Sequence, residues 1–496
     1  MNSRREFLTG IAAGAIAAAL PRPAAQAVSP GKGRPNIVFI EADDLTYKYL
    51  GCFGSKVVKT PHIDALAKRG VVFSNSVCQG MMCGPSRNSL ITGLYPHNLG
   101  FYVNGQMRSL PKGIWAFPGA LQRAGYHTAL IGKSHFKPYA DDAVGETPYE
   151  KRANAHKQQF GFDHVTHSLG RAMLGSGANA EPGKDAYVDH LLAKGLYKHF
   201  REEYPNPSTL PEDDYEDGFF TATACRWLRS YKQSKPLFLW LTCSCPHGPY
   251  DVPQKYLDLY RPEDMPEPIE DSLEGIPQEL GSEKRKRSQE WFLEARAKYA
   301  GAVTFLDKQV GRIIDCLRKT GKLDNTVVVF FGDQGFQLGD HGLHGKGTLF
   351  KESLNASLII SCPTAFAPGR VVTEPVELLD LVKTCLDLAG SPEVAKRPPY
   401  GYSLVPLLTG KGRYQRDNVA FGEIEGFYAA VTERYKYIAN EKQPILFDLE
   451  KDPDELHNVI GQNADISRQL QQAVDTWLAE TGPVVPSKKK RASRER

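Results

Sequence analysis

Five short runs of apolar residues recur along the chain, and each is long enough to form one buried β-strand. The runs are continuously apolar rather than alternating, which is typical of strands in a parallel sheet whose two faces are both covered. They are NIVFI (36–40), HTALIG (127–132), PLFLWLT (236–242), TVVVFF (326–331) and ASLIIS (356–361).

Between these runs the apolar residues recur every three or four positions, which is the spacing of helices that bury one side. Examples are residues 61–70, residues 117–126 and a long pattern over 295–323, in which Gly321 predicts the helix end. Strands that alternate with helices predict an α/β fold, here a large doubly wound domain with a mostly parallel sheet.

The pattern changes at about residue 412. Four short segments that follow are typical of antiparallel strands joined by tight turns, and a helix is predicted over about 466–480. The sequence thus predicts a main domain over 33–412 and a smaller antiparallel α+β subdomain over 413–484. Two polar stretches, at about 140–190 and 250–290, look like insertions that form surface loops near the site.

Both termini predict segments outside this fold. Residues 1–27 pair two arginines in SRREFL with a short apolar run and the small residues AQA, which is typical of a twin-arginine signal. We therefore expect the twin-arginine export machinery as a partner and a periplasmic or secreted location in a bacterium. No later segment has about 20 consecutive apolar residues, so we expect no stable membrane insertion. The basic segment 485–496 predicts a disordered tail.

Charge and cysteine content narrow the functional classes. The formal net charge is +4, from 61 Lys and Arg against 57 Asp and Glu, which does not suggest nucleic-acid binding. The nine cysteines are an odd number, so at least one is unpaired. The obvious candidate is Cys83, in the segment MMCGPSRNSLITG that begins at Met81.

Acidic residues follow two of the predicted strands. Asp43 and Asp44 end the first strand segment, and Asp333 and Gln334 end the fourth. Parallel strands place their carboxyl ends at one edge of a sheet, where α/β folds bind ligands. Three carboxylates and an amide oxygen there would repel one another without a hard divalent cation, and oxygen ligands favour Ca²⁺ or Mg²⁺. The alternative is that each pair only caps the helix or turn that follows.

Basic side chains follow other predicted strands. Lys133 and His135 lie on the same side of an extended segment, His247 follows the third strand, and Lys346 lies in a glycine-rich loop. Any one of these residues is compatible with a purely structural role. Together, beside a cation held by carboxylates, they predict a pocket for a tetrahedral oxyanion.

Cys83 fits the same pocket. Pro85 predicts the first residue of a helix that ends at Gly93, which places Cys83 at a helix N-terminus and Arg87 one turn further on. Helix N-termini favour anions, so a thiolate nucleophile would be stabilised there. A cysteine protease would need a histidine partner rather than a cluster of acids. We therefore expect the thiol to be converted into an oxygen nucleophile.

The segment CGPSRNSLITG resembles the signature of type I sulfatases, C-x-P-S-R-x-x-L-x-T-G, in which the cysteine is oxidised to Cα-formylglycine. Further segments resemble the family in order and spacing, so the resemblance covers about residues 35–480. They are NIVFIEADDL, GYHTALIGKSHF, CPHGPY, FGDQGFQLGDHGLHGK with LFKESLNASLII, and ILFDLEKDPDELHN.

The resemblance implies an alkaline phosphatase-like fold, a Ca²⁺ ion (with Mg²⁺ possible) and a formylglycine-generating enzyme as a partner. It implies that the metal ligands are Asp43, Asp44, Asp333, Gln334 and residue 83. Family members usually carry Asn or His at position 334. The implied catalytic residues are Cys83, Arg87, Lys133, His135, His247 and Lys346.

The implied mechanism begins with hydration of the aldehyde to a gem-diol, one hydroxyl of which attacks the sulfur of a sulfate ester. Lys133, His247 and Lys346 would stabilise charge on the sulfate oxygens. His247 or Lys346 would protonate the leaving alcohol, and His135 would take a proton from the second hydroxyl to release sulfate.

The export signal favours a sulfated carbohydrate over other small sulfate esters as the substrate. Three residues are candidates for the substrate rim: His97, Asn104 and Glu425. Two alternatives stay open. One is a phosphonate or phosphate ester hydrolase of the same fold. The other is a non-catalytic protein that binds sulfated glycans, which would follow if Cys83 stays unmodified.

Overall fold

The structure, a computed structural model, describes residues 33–139, 143–175, 181–270, 287–396 and 399–482. The strands are β1 (Asn36–Asp43), β2 (Val71–Phe73), β3 (Ser76–Val77), β4 (His127–Lys133), β5 (His164–Ser168), β6 (Leu237–Pro246), β7 (Thr326–Gly332), β8 (Gln337–Leu338), β9 (His344–Gly345), β10 (Leu358–Ser361), β11 (Arg370–Val372), β12 (Val376–Glu377), β13 (Ala420–Ile424), β14 (Phe427–Val431), β15 (Tyr435–Ala439) and β16 (Ile445–Asp448). The α-helices are α1 (Pro61–Lys68), α2 (Cys83–Thr92), α3 (Pro96–Leu99), α4 (Phe117–Arg123), α5 (Pro148–Phe160), α6 (Arg171–Gly175), α7 (Ala186–Ala193), α8 (Tyr197–Glu203), α9 (Glu216–Ser230), α10 (Gln254–Leu257), α11 (Gln289–Lys319), α12 (Lys351–Leu354), α13 (Asp380–Leu388), α14 (Val405–Thr409) and α15 (Ala464–Thr481).

The central sheet has eight strands in the order β11-β2-β10-β7-β1-β6-β4-β5. The strands β7, β1, β6, β4 and β5 are all parallel to their neighbours within this group. Their carboxyl ends therefore meet at one edge of the sheet. The predicted α/β fold with a large, mostly parallel sheet is confirmed.

The central strand shows why the apolar runs are continuous. In β1, Ile37 and Phe39 pack into one hydrophobic core, whereas Val38 and Ile40 pack into a second core on the other face. All four side chains are fully buried. A strand covered on both faces needs apolar side chains at successive positions. The long helix α11 covers one of these faces and ends just before Gly321, whose φ of 67° is left-handed.

Two expectations about the sheet were wrong. The run ASLIIS forms β10, but this strand is antiparallel to both β7 and β2. An apolar run indicates that both faces of a strand are buried, but it does not indicate the direction of that strand relative to its neighbours. The stretch 140–190 also contributes more than surface loops, because β5 adds an edge strand to the main sheet beside β4. Only part of its sequence HVTHS is apolar, so the periodicity gave no strand signal.

The C-terminal part forms a separate four-stranded antiparallel sheet in the order β13-β14-β15-β16. Helix α15 packs on this sheet through Leu470, Val474 and Trp477, which share a core with Tyr437 of β15. The predicted antiparallel α+β architecture is confirmed here, and the predicted helix over 466–480 is α15. The domain limits at 33, 413 and 484 stay predictions.

The predicted signal (1–27) and basic tail (485–496) lie outside the described residues. Within the described ranges, no helix combines the length and the apolar character that crossing a membrane requires.

Candidate active site

The motif CGPSR opens helix α2, which starts at Cys83, two residues earlier than predicted from Pro85. All ten residues of α2 are buried, and the helix ends at Gly93, whose φ of 66° is left-handed. Gly84 is required by space, because a Cβ at this position would overlap the Sδ atom of Met107. Because Gly84 has no side chain, the loop that carries Met107 can lie directly against the start of the helix beside Cys83.

Arg87 lies one turn into α2 and is fully buried. Its Nε donates to Oδ2 of Asp333 at 2.8 Å, and its Nη1 donates to Oε2 of Glu41 at 3.2 Å. Burial opposes the charge on the guanidinium, but Glu41 and Asp333 raise the pKa of Arg87 above its usual value. The arginine thus ties the helix that carries Cys83 to the carboxyl ends of β1 and β7.

Glu41 is a site residue that the sequence analysis missed. It is fully buried, and its Oε2 also accepts a hydrogen bond of 2.8 Å from Nε1 of Trp240. Burial is the main reason that the pKa of Glu41 rises to about 7, although Arg87 opposes the rise. The available signal was an acidic residue inside an apolar strand, two positions before Asp43 and therefore on the same side of β1.

Asp43 and Lys133 lie at the ends of β1 and β4 and form a buried ion pair between Oδ2 and Nζ. Burial alone would raise the pKa of Asp43, but Lys133, with smaller effects from His247 and Arg87, holds it well below its usual value. The second oxygen of this carboxylate, Oδ1, is buried and has no hydrogen-bond partner among the described residues.

Asp44 turns away from the strand with a left-handed φ of 64°. Its Oδ1 accepts hydrogen bonds from Nε2 of Gln334 and, at 2.5 Å, from Nζ of Lys346. Its Oδ2 lies 3.6 Å from Nε2 of His247. Non-glycine residues with positive φ are costly and are often kept at functional sites. This conformation places two carboxylates of neighbouring residues in one pocket.

Asp333 follows β7 and joins the same cluster. Its Oδ1 accepts the backbone N–H groups of Asp44 and Gln334 at 3.0 and 2.9 Å, which fixes the loop after β7 against the loop after β1. Burial, together with the charge of Asp43, raises the pKa of Asp333 well above its usual value. Oxygen Oε1 of Gln334 is buried without a hydrogen-bond partner among the described residues.

The chemistry of this cluster suits a divalent cation. Four carboxylates (Glu41, Asp43, Asp44 and Asp333) face three permanent cations (Arg87, Lys133 and Lys346). Ligand atoms of Asp43, Cys83 and Asp333 lie within 4.8 Å of one another, as do those of Asp43, Asp44 and His247. Three buried oxygens of the cluster, on Glu41, Asp43 and Gln334, have no hydrogen-bond partner among the described residues. An excess of buried negative charge with unpaired oxygens is what an oxygen-ligated cation such as Ca²⁺ would satisfy.

Cys83 lies against this cluster. Its Sγ is 3.5 Å from Nζ of Lys346 and accepts a hydrogen bond of 3.4 Å from Nδ2 of Asn104. Oδ1 of Asn104 accepts the backbone N–H of Gly84 at 3.0 Å. The nine cysteines all fall within the described ranges and none of them forms a disulfide there.

Two histidines, His135 and His247, complete the set of predicted catalytic residues. Nδ1 of His247 donates to the backbone oxygen of Gly248 at 2.6 Å, which leaves its Nε2 toward Asp44. His135 has a left-handed φ of 51°, and its Nδ1 is buried without a hydrogen-bond partner among the described residues. Burial, followed by the charge of Lys133, lowers the pKa of His135 to about 3, so its ring is neutral.

A cavity of about 440 Å³ opens above Cys83, Lys133, His135 and His247. Asn104, a predicted rim residue, lines this cavity. Glu425 is not among the lining residues, but its Oε2 accepts a hydrogen bond of 2.8 Å from Gln106, in the same loop as Asn104.

The prediction for His97 was wrong. Its side chain is fully buried, with Nδ1 at 2.9 Å from Oε1 of Glu423 and Nε2 at 3.0 Å from Oγ1 of Thr481. The ring stacks on Tyr95 with the two centroids 5.5 Å apart. His97 therefore helps to dock the C-terminal sheet and helix on the main domain and does not reach a substrate.

Comparison with protein families agrees with this geometry. The family model described as Sulfatase matches residues 35–391. A second family model, described as N-sulphoglucosamine sulphohydrolase, C-terminal, matches residues 339–480. The first match alone covers more than half of the chain and contains every residue of the cluster around Cys83.

Individual proteins show the same likeness. An arylsulfatase of Clostridium perfringens is 28% identical over 464 residues, which cover 86% of this chain and 90% of that protein. An N-acetylglucosamine-6-O-sulfatase of Bacteroides thetaiotaomicron is 27% identical over 488 residues, covering 89% and 86% of the two chains. Among solved structures, a phosphonate monoester hydrolase of Agrobacterium radiobacter matches with a TM-score of 0.76 at 24% identity, covering 90% and 96% of the chains, which shows the fold.

Proposed function

The chain belongs to the sulfatase family, within the alkaline phosphatase-like superfamily, and is a sulfuric ester hydrolase; from this premise we propose that Cys83, converted to formylglycine, supplies its nucleophile. The single observation that carries the proposal is the position of Cys83. It is the first residue of α2, at the floor of the cavity, 3.5 Å from an ammonium group and within ligand distance of Asp43 and Asp333. The hydrated aldehyde supplies an attacking oxygen and a second hydroxyl, which the thiol lacks.

Asp43, Asp44, Asp333 and Gln334 would hold a divalent cation together with residue 83, and their oxygen ligands would favour Ca²⁺. When bound, the cation polarises sulfate oxygens and favours loss of a proton from a hydroxyl group. Arg87 fixes the helix to the two carboxylate-bearing strand ends through its bonds to Asp333 and Glu41. These residues therefore keep residue 83 and the ligand oxygens in one arrangement.

The cations of the pocket act on the sulfate group. Lys346 lies beside residue 83, and Lys133 lies beside Asp43, so both ammonium groups stand where sulfate oxygens gain charge during attack. Fixed donors of this kind are worth about 3 kcal/mol of transition-state stabilisation each. The two ammonium groups take the place of water molecules as hydrogen-bond partners of the sulfate group.

The two histidines handle protons. Nδ1 of His247 is held by Gly248, so a proton at its Nε2 is the one presented to the leaving alcohol. The neutral ring of His135, whose Nδ1 has no hydrogen-bond partner among the described residues, accepts the proton of the second hydroxyl once the first carries the sulfate group. The C=O bond of the aldehyde then re-forms as the C–O bond to sulfate breaks, and sulfate leaves. Asn104, which donates to Sγ of Cys83, orients the group at that position.

The substrate is a sulfated carbohydrate, so its alcohol portion is a sugar. The relative named as an N-acetylglucosamine-6-O-sulfatase supports this choice, and the cavity above residue 83 falls in the size range of small-molecule sites. The sequence of residues 1–27 supports export by the twin-arginine machinery to the periplasm or beyond. Replacing Arg4 and Arg5 with lysine and following the protein in cell fractions tests the export step.

The function is tested by the release of sulfate. Protein produced together with a formylglycine-generating enzyme is supplied with Ca²⁺ and given N-acetylglucosamine 6-sulfate, 4-nitrophenyl sulfate and 4-nitrophenyl phosphate. We expect sulfate from both sulfate esters and much slower release of phosphate, and we expect no release by the matched Cys83→Ala variant. Faster release of phosphate would identify a phosphoester hydrolase. No release from any ester, with residue 83 still a thiol in protein from its own host, would favour a binding protein.

A further inference from the structure

The outer walls of the cavity come from two segments at the carboxyl edge of the sheet. The segment over 169–173 follows β5 and contains the start of helix α6, and the loop over 247–251 follows β6 and carries His247. Arg171, the first residue of α6, and Asp251 of the loop form a buried ion pair, with Nε donating to Oδ2 at 2.6 Å. The pair joins the two walls, and both of its residues line the cavity.

Two aromatic rings and a backbone hydrogen bond hold Arg171 in place beside the ion pair. The central carbon of its guanidinium lies 4.3 Å from the ring centroid of Tyr215 and 4.6 Å from that of Phe200. The backbone N–H of the same residue donates to Oε2 of Glu216 at 2.8 Å. The arginine is therefore a rigid part of the wall, and its remaining donors keep fixed positions.

One of those donors is unused. Nη1 lies 3.4 Å from the hydroxyl of Tyr187, whereas Nη2 is buried and has no hydrogen-bond partner among the described residues. The side chain of Arg171 is only 4% exposed. A buried donor of a charged group that stays unpaired is costly and is therefore uncommon in native structures.

The neighbouring polar groups of the wall are already engaged. The hydroxyl of Tyr215 donates to Oδ1 of Asp251 at 3.1 Å, and the hydroxyl of Ser244 donates to Oε2 of Glu216 at 2.7 Å. Other wall residues are apolar, among them Met107, Leu169, Ala172, Met173 and Pro249. Nη2 of Arg171 is thus a fixed donor in a largely apolar wall.

We propose that Arg171 is a specificity-determining residue, whose Nη2 donates a hydrogen bond to a ring or hydroxyl oxygen in the alcohol portion of the substrate. Asp251 balances the charge of the guanidinium, so a neutral oxygen acceptor satisfies the donor without further charge. The inference rests on the proposed function, and it extends that function from the sulfate group to the sugar. A site built to bond a substrate oxygen discriminates strongly against an analogue that lacks it.

Two esters of the same ring size test the proposal. Glucose 6-sulfate carries ring and hydroxyl oxygens, whereas cyclohexylmethyl sulfate presents the same six-membered ring without them. We expect kcat/KM of the wild-type protein to be at least tenfold higher for glucose 6-sulfate. We expect Arg171→Lys, which keeps the charge but loses the forked donors, to lower that value roughly 10- to 100-fold and to change the cyclohexylmethyl value less than threefold.

A second readout measures binding without turnover. In a Cys83→Ala background, calorimetric titration with glucose 6-sulfate is expected to show a weaker affinity when Arg171→Lys is added. Arg123→Lys, on an exposed side chain of α4 paired with Glu393, is the matched control and is expected to change neither quantity. Activity on cyclohexylmethyl sulfate and the thermal midpoint report whether Arg171→Lys has folded.

The outcomes separate this proposal from the one on which it rests. Equal kcat/KM for the two esters in the wild-type protein, or an equal loss for both esters in Arg171→Lys, would overturn the role of Arg171 while sulfatase activity stands. If no sulfate is released from glucose 6-sulfate, from cyclohexylmethyl sulfate or from 4-nitrophenyl sulfate, the proposed function itself is overturned.

Discussion

Replacement of Arg87 by methionine tests the idea that one buried cation holds the carboxylate cluster together. The change keeps an unbranched, flexible side chain but leaves Glu41 and Asp333 without their charged partner. Breaking a buried ion pair by removing one member costs about 3–5 kcal/mol, because the other member stays buried and unpaired. For a chain of this length the unfolding entropy is roughly 1 kcal/mol per kelvin, so the thermal midpoint should fall by about 3–5 °C.

The assay is thermal unfolding followed by circular dichroism in the presence of a chelator, so that no cation substitutes for the arginine. Arg123→Met is the matched control. The side chain of Arg123 is 57% exposed, and its pair with Glu393 is expected to contribute at most about 1 kcal/mol. Sulfate release by Arg87→Met should also fall steeply. If Arg87→Met loses less than about 1 kcal/mol, or no more than the control, the arginine does not hold the cluster.

Four further outcomes are expected. Gly132→Ala should abolish soluble expression, because its Cβ would overlap a backbone oxygen of β6 and its φ of 112° is left-handed. The control Gly113→Ala, at a left-handed position with open space around it, should lower the free energy of unfolding by only about 1 kcal/mol. Dialysis against a chelator should remove activity and lower the thermal midpoint, and Ca²⁺ should restore both; better restoration by Mg²⁺ would contradict the choice of metal. His97→Gln should lower the free energy of unfolding by about 1–3 kcal/mol and leave KM within twofold, since a larger change in KM would return His97 to the substrate rim. Burial lowers the pKa of His156 to about 4 and that of His167 well below 6.5, so unfolding binds protons below pH 6.5. The free energy of unfolding should therefore fall as the pH drops below 6.5, by about 1.4 kcal/mol per pH unit for each histidine. Urea titrations of His167→Phe should show a shallower fall, and an unchanged slope would contradict this.

Much of the fold followed from the sequence because β1, β6 and β7 are covered on both faces. Their apolar runs marked buried strands, and the polar residues after each run had to meet at the same edge. This is how residues as distant in sequence as Asp43 and Asp333 were placed together. The direction of β10 did not follow, because burial on two faces is the same for parallel and antiparallel strands.

The errors in the site have a different cause. Glu41 was missed because an acidic residue within an apolar run reads as part of the strand, and only the position of Arg87 gives it a partner. His97 was assigned to the rim because a histidine side chain could bond sugar hydroxyls. The residues that cover it, Glu423 and Thr481, come from the C-terminal sheet and helix, more than 300 positions away.

The pair of Arg171 and Asp251 had no sequence signal at all. The two residues are 80 positions apart, and each falls within a different segment that looked like an insertion. Only the parallel order of β5, β4 and β6 brings the loops that follow β5 and β6 to the same cavity. Contacts between loops of this kind depend on the strand order, which periodicity does not specify.

The central claim is that residue 83 is an aldehyde and not a thiol, and one measurement tests it directly. Protein from its own host is denatured, alkylated and digested with trypsin, and the peptide Gly70–Arg87 is analysed by mass spectrometry. Cys78 in the same peptide is an internal control that should be alkylated. The account predicts that residue 83 appears as formylglycine or its hydrate and takes up no alkyl group. A peptide in which Cys78 and Cys83 are both fully alkylated would contradict it.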